Sequence, residues 1–264
     1  MKERLQTVAG NLAYPTAVLV VVLAAWEGAG EAGLVAPYIL PAPSAILAKV
    51  WTLRGLLLQH TWATMIEIVL GFLVALVSGV ILAVAVVYVR PFERAFYPWI
   101  VATQAIPKVA LGPLFIIWFG FGLTPKIVIA ALIAFFPIMI GTIVGLKSIE
   151  RDSLFLLRSM GASSLQTFWY ARLPNGLPQI FAGMKVAIVL ASVGAIVGEF
   201  VGANEGLGYV LLTANGTVDT QLLFAALLII SVLSTALYWV VHFAESIFIR
   251  WHVSVRDDVA AATM

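Results

Sequence analysis

The chain has 264 residues, 62% of them apolar and only 11% charged, with a formal charge of +2. A soluble domain is roughly 45–50% apolar and about 25% charged, and a compact fold of this length cannot hide such an apolar surplus from water, so lipid is the solvent that fits. The weak net charge, without a run of Lys or Arg, argues against a nucleic-acid partner, and the lack of cysteine removes disulfides, thiol nucleophiles and Cys-based metal sites.

Crossing the hydrocarbon takes about 20 apolar residues in helical form, because the backbone must satisfy its own hydrogen bonds there. Six segments are expected to do so: Tyr14–Trp26, Met65–Tyr88, Phe96–Phe119, Ile127–Leu146, Ile180–Val201 and Leu222–Ile249. The first is short and contains Pro15. It reads as an anchor; a cleaved signal peptide is the alternative, since Lys2 and Arg4 precede it and Ala29 and Gly30 follow. Residues 27–61 form a long connection in which Pro37, Pro41 and Pro43 lead into an amphipathic stretch, Ser44–Leu58, expected along the outer interface. Placing the N-terminus inside puts Lys2, Arg4, Arg90, Arg94, Lys147, Arg151, Arg158, Arg172, Arg250 and Arg256 in the cytoplasm and only Lys49, Arg54 and Lys126 outside. That bias orients the chain with both termini cytoplasmic. No internal repeat or low-complexity linker divides it, so residues 1–264 read as one transmembrane domain.

Several residues within or near the spans call for a reason. His60, His242 and His252 show no ligand spacing and read as interfacial or surface residues. Glu67 and Lys185 lie near span ends, where they can snorkel. Lys108 follows Pro107 near the middle of the third segment, and Glu199 lies toward the outer half of the fifth. These two are either a structural ion pair between helices or groups lining a path. With Gln104 and Pro107 they make up the candidate translocation path or gate. Gly112, Pro113, Gly120 and Gly122 interrupt the third segment and read chiefly as packing positions. Most of the tryptophans fall near span ends, as an aromatic belt does.

The long cytoplasmic connection, residues 147–179, reads as helix, break, helix and stop. Leu154, Phe155, Leu157 and Met160 recur at helical spacing beside Arg151, Asp152 and Arg158. Gly161 is placed to end the first helix, Ser163 or Ser164 to cap the second, and Pro174 and Pro178 to stop it. On physics alone such a hairpin is an interfacial filler or a docking surface.

Gly161 and Ala162, followed after about a dozen residues by Leu173-Pro174, resemble the EAA loop of binding-protein-dependent ABC importer permeases. Phe155-Leu156-Leu157 stands where Glu-Ala-Ala is usual, so any salt bridge from that position is missing. Thr103-Gln104-Ala105-Ile106-Pro107-Lys108 with Trp118-Phe119-Gly120, Gly198-Glu199-Phe200-Val201-Gly202 with Gly206-Leu207-Gly208, and Ile39-Leu40-Pro41-Ala42-Pro43-Ser44 resemble the nitrate, sulfonate and taurine branch. Val197-Gly198-Glu199-Phe200-Val201-Gly202 also resembles members assigned to pyrimidine-type vitamin precursors.

The resemblance implies an all-α, type I importer permease in the inner (plasma) membrane, carrying a small polar or anionic solute. It implies a second permease copy, most simply an identical one, two ABC ATPase subunits and an extracytoplasmic solute-binding protein. Leu154, Phe155, Leu157, Arg158, Met160, Gly161, Ala162, Leu173 and Pro174 would form the coupling loop. The chain has no G-x-x-x-x-G-K-[ST] motif, so no cofactor is expected in it, and ATP and Mg would be bound and turned over by the partner ATPase. An ion-gradient-coupled secondary transporter is the alternative, but that class tends to show paired repeats.

Overall fold

A computed structural model of the protein describes residues 2–89, 91, 94–95, 98 and 102–249. Arg90, Arg250, Arg256, Trp99, Trp251, His252 and the start of the third expected span at Phe96 lie outside the described residues. Among the described residues all regular structure is helical: α1 Lys2–Glu31, α2 Pro43–Thr52, α3 Arg54–Tyr88, a 3-10 turn Lys108–Leu111 running into α4 Gly112–Phe119, α5 Leu123–Lys147, α6 Arg151–Ser159, α7 Ser164–Thr167, a π-turn Phe168–Arg172, α8 Leu173–Gly202, α9 Leu207–Gly216 and α10 Thr220–Phe248.

Among the described residues, four helical stretches are long and apolar enough to cross a membrane: α3, α5, α10 and the run Ser164–Gly202, which joins α7, the π-turn and α8. They correspond to the second, fourth, sixth and fifth expected spans. Lys108–Phe119 is apolar but too short to cross alone.

Some boundaries differ from expectation for identifiable reasons. The α3 helix begins at Arg54 rather than Met65, and Leu53 breaks it from α2, so Ser44–Leu58 is not one amphipathic helix. Pro174 and Pro178 do not stop the helix before them. Pro174 stands in the first turn of α8, where a missing N–H costs least, and α8 continues through Pro178. Gly112 is a packing position, since a Cβ there would come within 2.8 Å of Val201 Cγ2. Gly120 and Gly122 instead form the turn between α4 and α5, with φ of 76° and 130°.

The chain divides into two compact units, one built on Met1–Leu58 and Val210–Ile229, the other on Gln59–Tyr209 and Ile230–His252. In the first, the Ser44 backbone N–H donates to Glu27 Oε2 at 2.9 Å, and the Ser44 hydroxyl donates to Glu27 Oε1. Trp26 meets Phe224 edge to face, with centroids 6.2 Å apart. Asp219 caps α10 through the Leu222 N–H (3.0 Å) and pairs with Lys49 Nζ at 2.7 Å. Burial pushes the Asp219 carboxyl up, but these hydrogen bonds outweigh it and hold the group below its ordinary value.

The second unit is organised by the crossing of α5 and α8. Its core joins Ile68 and Phe72 of α3, Ala130, Ala134 and Ile138 of α5, and Phe181, Ile188 and Ala191 of α8. Lipid tails are as apolar as leucine, so helices associate here by close fit rather than by escape from water. Glycines supply that fit. A Cβ on Gly145 would sit 2.5 Å from the Gly176 carbonyl oxygen, and one on Gly194 would sit 2.6 Å from Ala130 Cα. We therefore expect Gly145→Ala to force these backbones apart at a cost of about 1–3 kcal/mol, read as a lower thermal unfolding midpoint in detergent. Gly55→Ala, where a Cβ meets nothing within 4 Å, should leave the midpoint unchanged or raise it.

Candidate functional site

Two places concentrate polar or exposed features. The first is the hairpin of α6 and α7. The α6 helix ends in a Schellman motif: the Ala162 N–H donates to the Leu157 carbonyl and the Gly161 N–H to the Arg158 carbonyl, both at 3.0 Å, with Gly161 at φ 79°. A side chain at Gly161 would meet open space, so the backbone conformation alone calls for glycine. A capping box then starts α7. The Gln166 N–H donates to Ser163 Oγ at 3.2 Å, and the Ser163 N–H donates to Gln166 Oε1 at 2.8 Å. Two stops, one on each side of Ala162, fix the angle of the hairpin.

Its surface is divided. Leu154 and Leu157 are half-buried, and Leu154, Arg158 and Ala162 line a cavity with Tyr88 and Arg172. Phe155, Leu156 and Met160 point away, at 66%, 61% and 74% exposure, and Leu165, Trp169 and Tyr170 are exposed beyond them. Leu156 and these last three were not among the residues singled out from the sequence, because apolar spacing alone does not tell which side of a hairpin its neighbours cover. At the base, Leu173 and Pro174 are half-buried. Arg172 stacks over Tyr88 at 5.3 Å, and Asn175 Nδ2 donates to Ser148 Oγ at 2.8 Å, tying the hairpin to the ends of α3 and α5.

The second place is a buried polar cluster around Glu199, itself 0% exposed. The spacing His60, Thr64, Glu67 puts three polar side chains on one face of α3. The Thr64 hydroxyl donates to Glu199 Oε1 at 2.6 Å and accepts the Leu207 N–H at 2.8 Å. The Gly208 N–H donates to Glu199 Oε2, and the Gly206 N–H donates to His60 Nδ1 at 3.0 Å. Glu67, 1% exposed, pairs with Lys126 Nζ of α5 at 2.6 Å. A Cβ on Gly206 would fall on the Glu199 carboxyl, and one on Gly208 would come within 2.7 Å of Oε2. The Gly-x-Gly after Glu199 is therefore there to let the chain close over that carboxyl.

Three readings change accordingly. Glu67 does not snorkel but is an internal ion-pair partner, and Lys126 is a buried helix residue rather than a loop charge. His60 is buried and accepts a backbone hydrogen bond rather than lying at a surface. Lys185 pairs with Glu245 at 2.8 Å. The i, i+4, i+7 spacing on α3 was the signal that could have disclosed the cluster.

Of the four path candidates, Gln104, Pro107 and Lys108 gather near Phe136 and Glu199 stands apart. Lys108 Nζ lies 4.5 Å over the Phe136 ring, Pro107 begins the 3-10 turn, and Gln104 shares a groove of about 370 Å³ with Phe136, Gln179 and Val186. Glu199 takes its partners from α3 and from the start of α9, not from Lys108.

Among the described residues the fold is all-helical, with several apolar helices long enough to cross a membrane, the class of a multi-pass membrane protein. Residues 68–247 match the family described as binding-protein-dependent transport system inner membrane component, and the chain belongs to that family as a permease subunit of an ABC importer in the inner membrane. It is 38% identical to the riboflavin transport system permease protein RibX of Chloroflexus aurantiacus, over 89% of each chain. It is 35% identical to the formylaminopyrimidine transport permease protein ThiX of Halalkalibacterium halodurans, over 90% of this chain and 95% of that one. Its fold matches a chain of the MetNI methionine ABC transporter in an inward-facing conformation, with a TM-score of 0.61 at 22% identity, covering 75% of this chain and 97% of that one.

If the Glu199 cluster fixes the start of α9, Thr64→Val should cost about 1–3 kcal/mol by leaving the Leu207 N–H and Glu199 without their partner. Thr64→Ser, which keeps the hydroxyl, should unfold close to the native midpoint in the same melting experiment.

Proposed function

We propose that this permease carries a small polar heterocycle of the riboflavin or pyrimidine-precursor kind, as a homodimer of six-span subunits with both termini cytoplasmic. The α6–α7 hairpin is its mechanical input. Two ABC ATPase subunits bind it, with ATP and Mg held in those subunits, and an extracytoplasmic binding protein delivers the solute. The similarity to the riboflavin permease RibX and the formylaminopyrimidine permease ThiX supports the solute class, and the excess of Lys and Arg in the assigned cytoplasmic segments supports the orientation. Gln104, Pro107 and Lys108 border the path, and a cation beside an aromatic ring suits an electron-rich ring solute.

One observation carries the coupling reading. The bend of the hairpin is locked by a Schellman motif and a capping box while Phe155, Leu156 and Met160 remain exposed. A rigid element with an uncovered apolar face transmits motion when a partner grips it. Gly161→Val should leave the subunit folded in the membrane, lower ATPase co-purification and cut transport at least about tenfold, ~1.4 kcal/mol. Leu156→Asp should do the same by putting a charge into an apolar contact. Normal transport with ATPase fully retained in both variants would remove the hairpin from the coupling path.

The orientation has its own test in this cysteine-free chain. A single cysteine at exposed Ser153 should resist a membrane-impermeant thiol reagent added outside intact cells and react after permeabilisation. One at Gly55 should react from outside. The reverse pattern would invert the topology.

A further inference from the structure

The charges of the Glu199 cluster do not balance as drawn. Glu67 and Glu199 bring two carboxyls and Lys126 one ammonium, all nearly or fully buried. His60 adds no charge, because its Nδ1 accepts the Gly206 N–H and is therefore unprotonated. Glu205, on the connection between α8 and α9, acts on His60 and adds only further negative charge.

The oxygens of the two carboxyls tell where the missing charge belongs. Glu67 Oε1 accepts from Lys126, Glu199 Oε1 accepts from Thr64, and Glu199 Oε2 accepts the Gly208 N–H. Glu67 Oε2 is buried and has no donor. Yet the two carboxyls are neighbours. Thr64, which holds Glu199 Oε1, lies one turn before Glu67 on α3, and Lys126, which holds Glu67, packs on Gly198, where a Cβ would lie 3.2 Å from Lys126 Cβ. Two carboxylates this near each other in a dry site do not both ionise, and a proton between them turns repulsion into a hydrogen bond.

We infer that Glu67 and Glu199 form a proton-binding site that holds one proton between them, carried on Glu67 Oε2 and donated to Glu199. With that proton bound, the pair and Lys126 sum to zero charge. The backbone from Gly206 to Gly208 can then close on Glu199 without facing an uncompensated anion. A cavity of about 360 Å³, lined by Phe121 and Leu123 as well as Lys126, Asn204 and Glu205, gives the site a route to exchange its proton with solvent. Nothing in the transport reading requires this proton, so the two stand or fall separately.

Infrared spectroscopy of the full-length chain in lipid nanodiscs, with the subunits that co-purify with it, reads the site directly. The native protein at neutral pH should show a protonated-carboxyl C=O stretch that moves in heavy water and on carbon-isotope labelling of glutamate. Glu67→Gln and Glu199→Gln should each abolish it, because the remaining carboxyl then balances Lys126 and ionises. Lys126→Met should roughly double it, since both carboxyls must then be protonated. The absence of a glutamate-derived band in the native protein overturns the inference even if no variant folds. A band that survives in either glutamine variant, or that does not grow in Lys126→Met, overturns it too.

Discussion

A carboxyl buried among helices has no water to satisfy it, and much of this fold is arranged around that fact at Glu199. Its two oxygens take donors from α3 and from the backbone entering α9, so helices far apart in the chain are brought to one point. Breaking one partner of such a network exposes the full cost of a buried, unsatisfied group, whereas a complete network costs little. The same requirement explains the absence of side chains at Gly206 and Gly208, whose Cβ positions the carboxyl already fills. Polar satisfaction thus fixes where α8 gives way to α9, and glycine contact fixes how α8 lies on α5.

Those two devices work over different ranges. The Gly145–Gly176 and Gly194–Ala130 approaches use dispersion alone, which rewards only close contact and is lost over a fraction of an ångström. The Glu67–Lys126 pair acts over a longer distance and is directional. Shape thus sets how α8 lies on α5, while charge pins α3 to α5.

The spans were legible because lipid imposes one rule on every residue, and runs such as those in α3, α5 and α10 obey it throughout. The hairpin was legible because Gly161 and Ser163 are local signals whose meaning needs no tertiary context. The carboxylate cluster was not. Glu67 and Lys126 read separately as an end-of-span residue and a loop charge, and only the packing of α3 against α5 makes them partners 59 positions apart. The pairing of Lys108 with Glu199 failed for the opposite reason. Both are charges in apolar segments and so suggest each other, but Phe136 and Thr64 are nearer. Pro174 and Pro178 misled because proline marks a helix end only where no neighbouring helix holds the chain in place.

The π-turn Phe168–Arg172 gives the hairpin its aim. The Leu173 N–H reaches back five residues to the Phe168 carbonyl, so this turn holds one residue more than an α-turn would. One residue of an α-helix is about 100° of azimuth. Everything N-terminal to the turn is therefore rotated by about that angle from where an unbroken helix would point it. Trp169 and Tyr170 face outward while Arg172 reaches back over Tyr88. The helix thus behaves as a shaft with a keyed offset. Drawing the extra residue out would turn the hairpin about the span's own axis, without bending the span or moving it along the membrane normal.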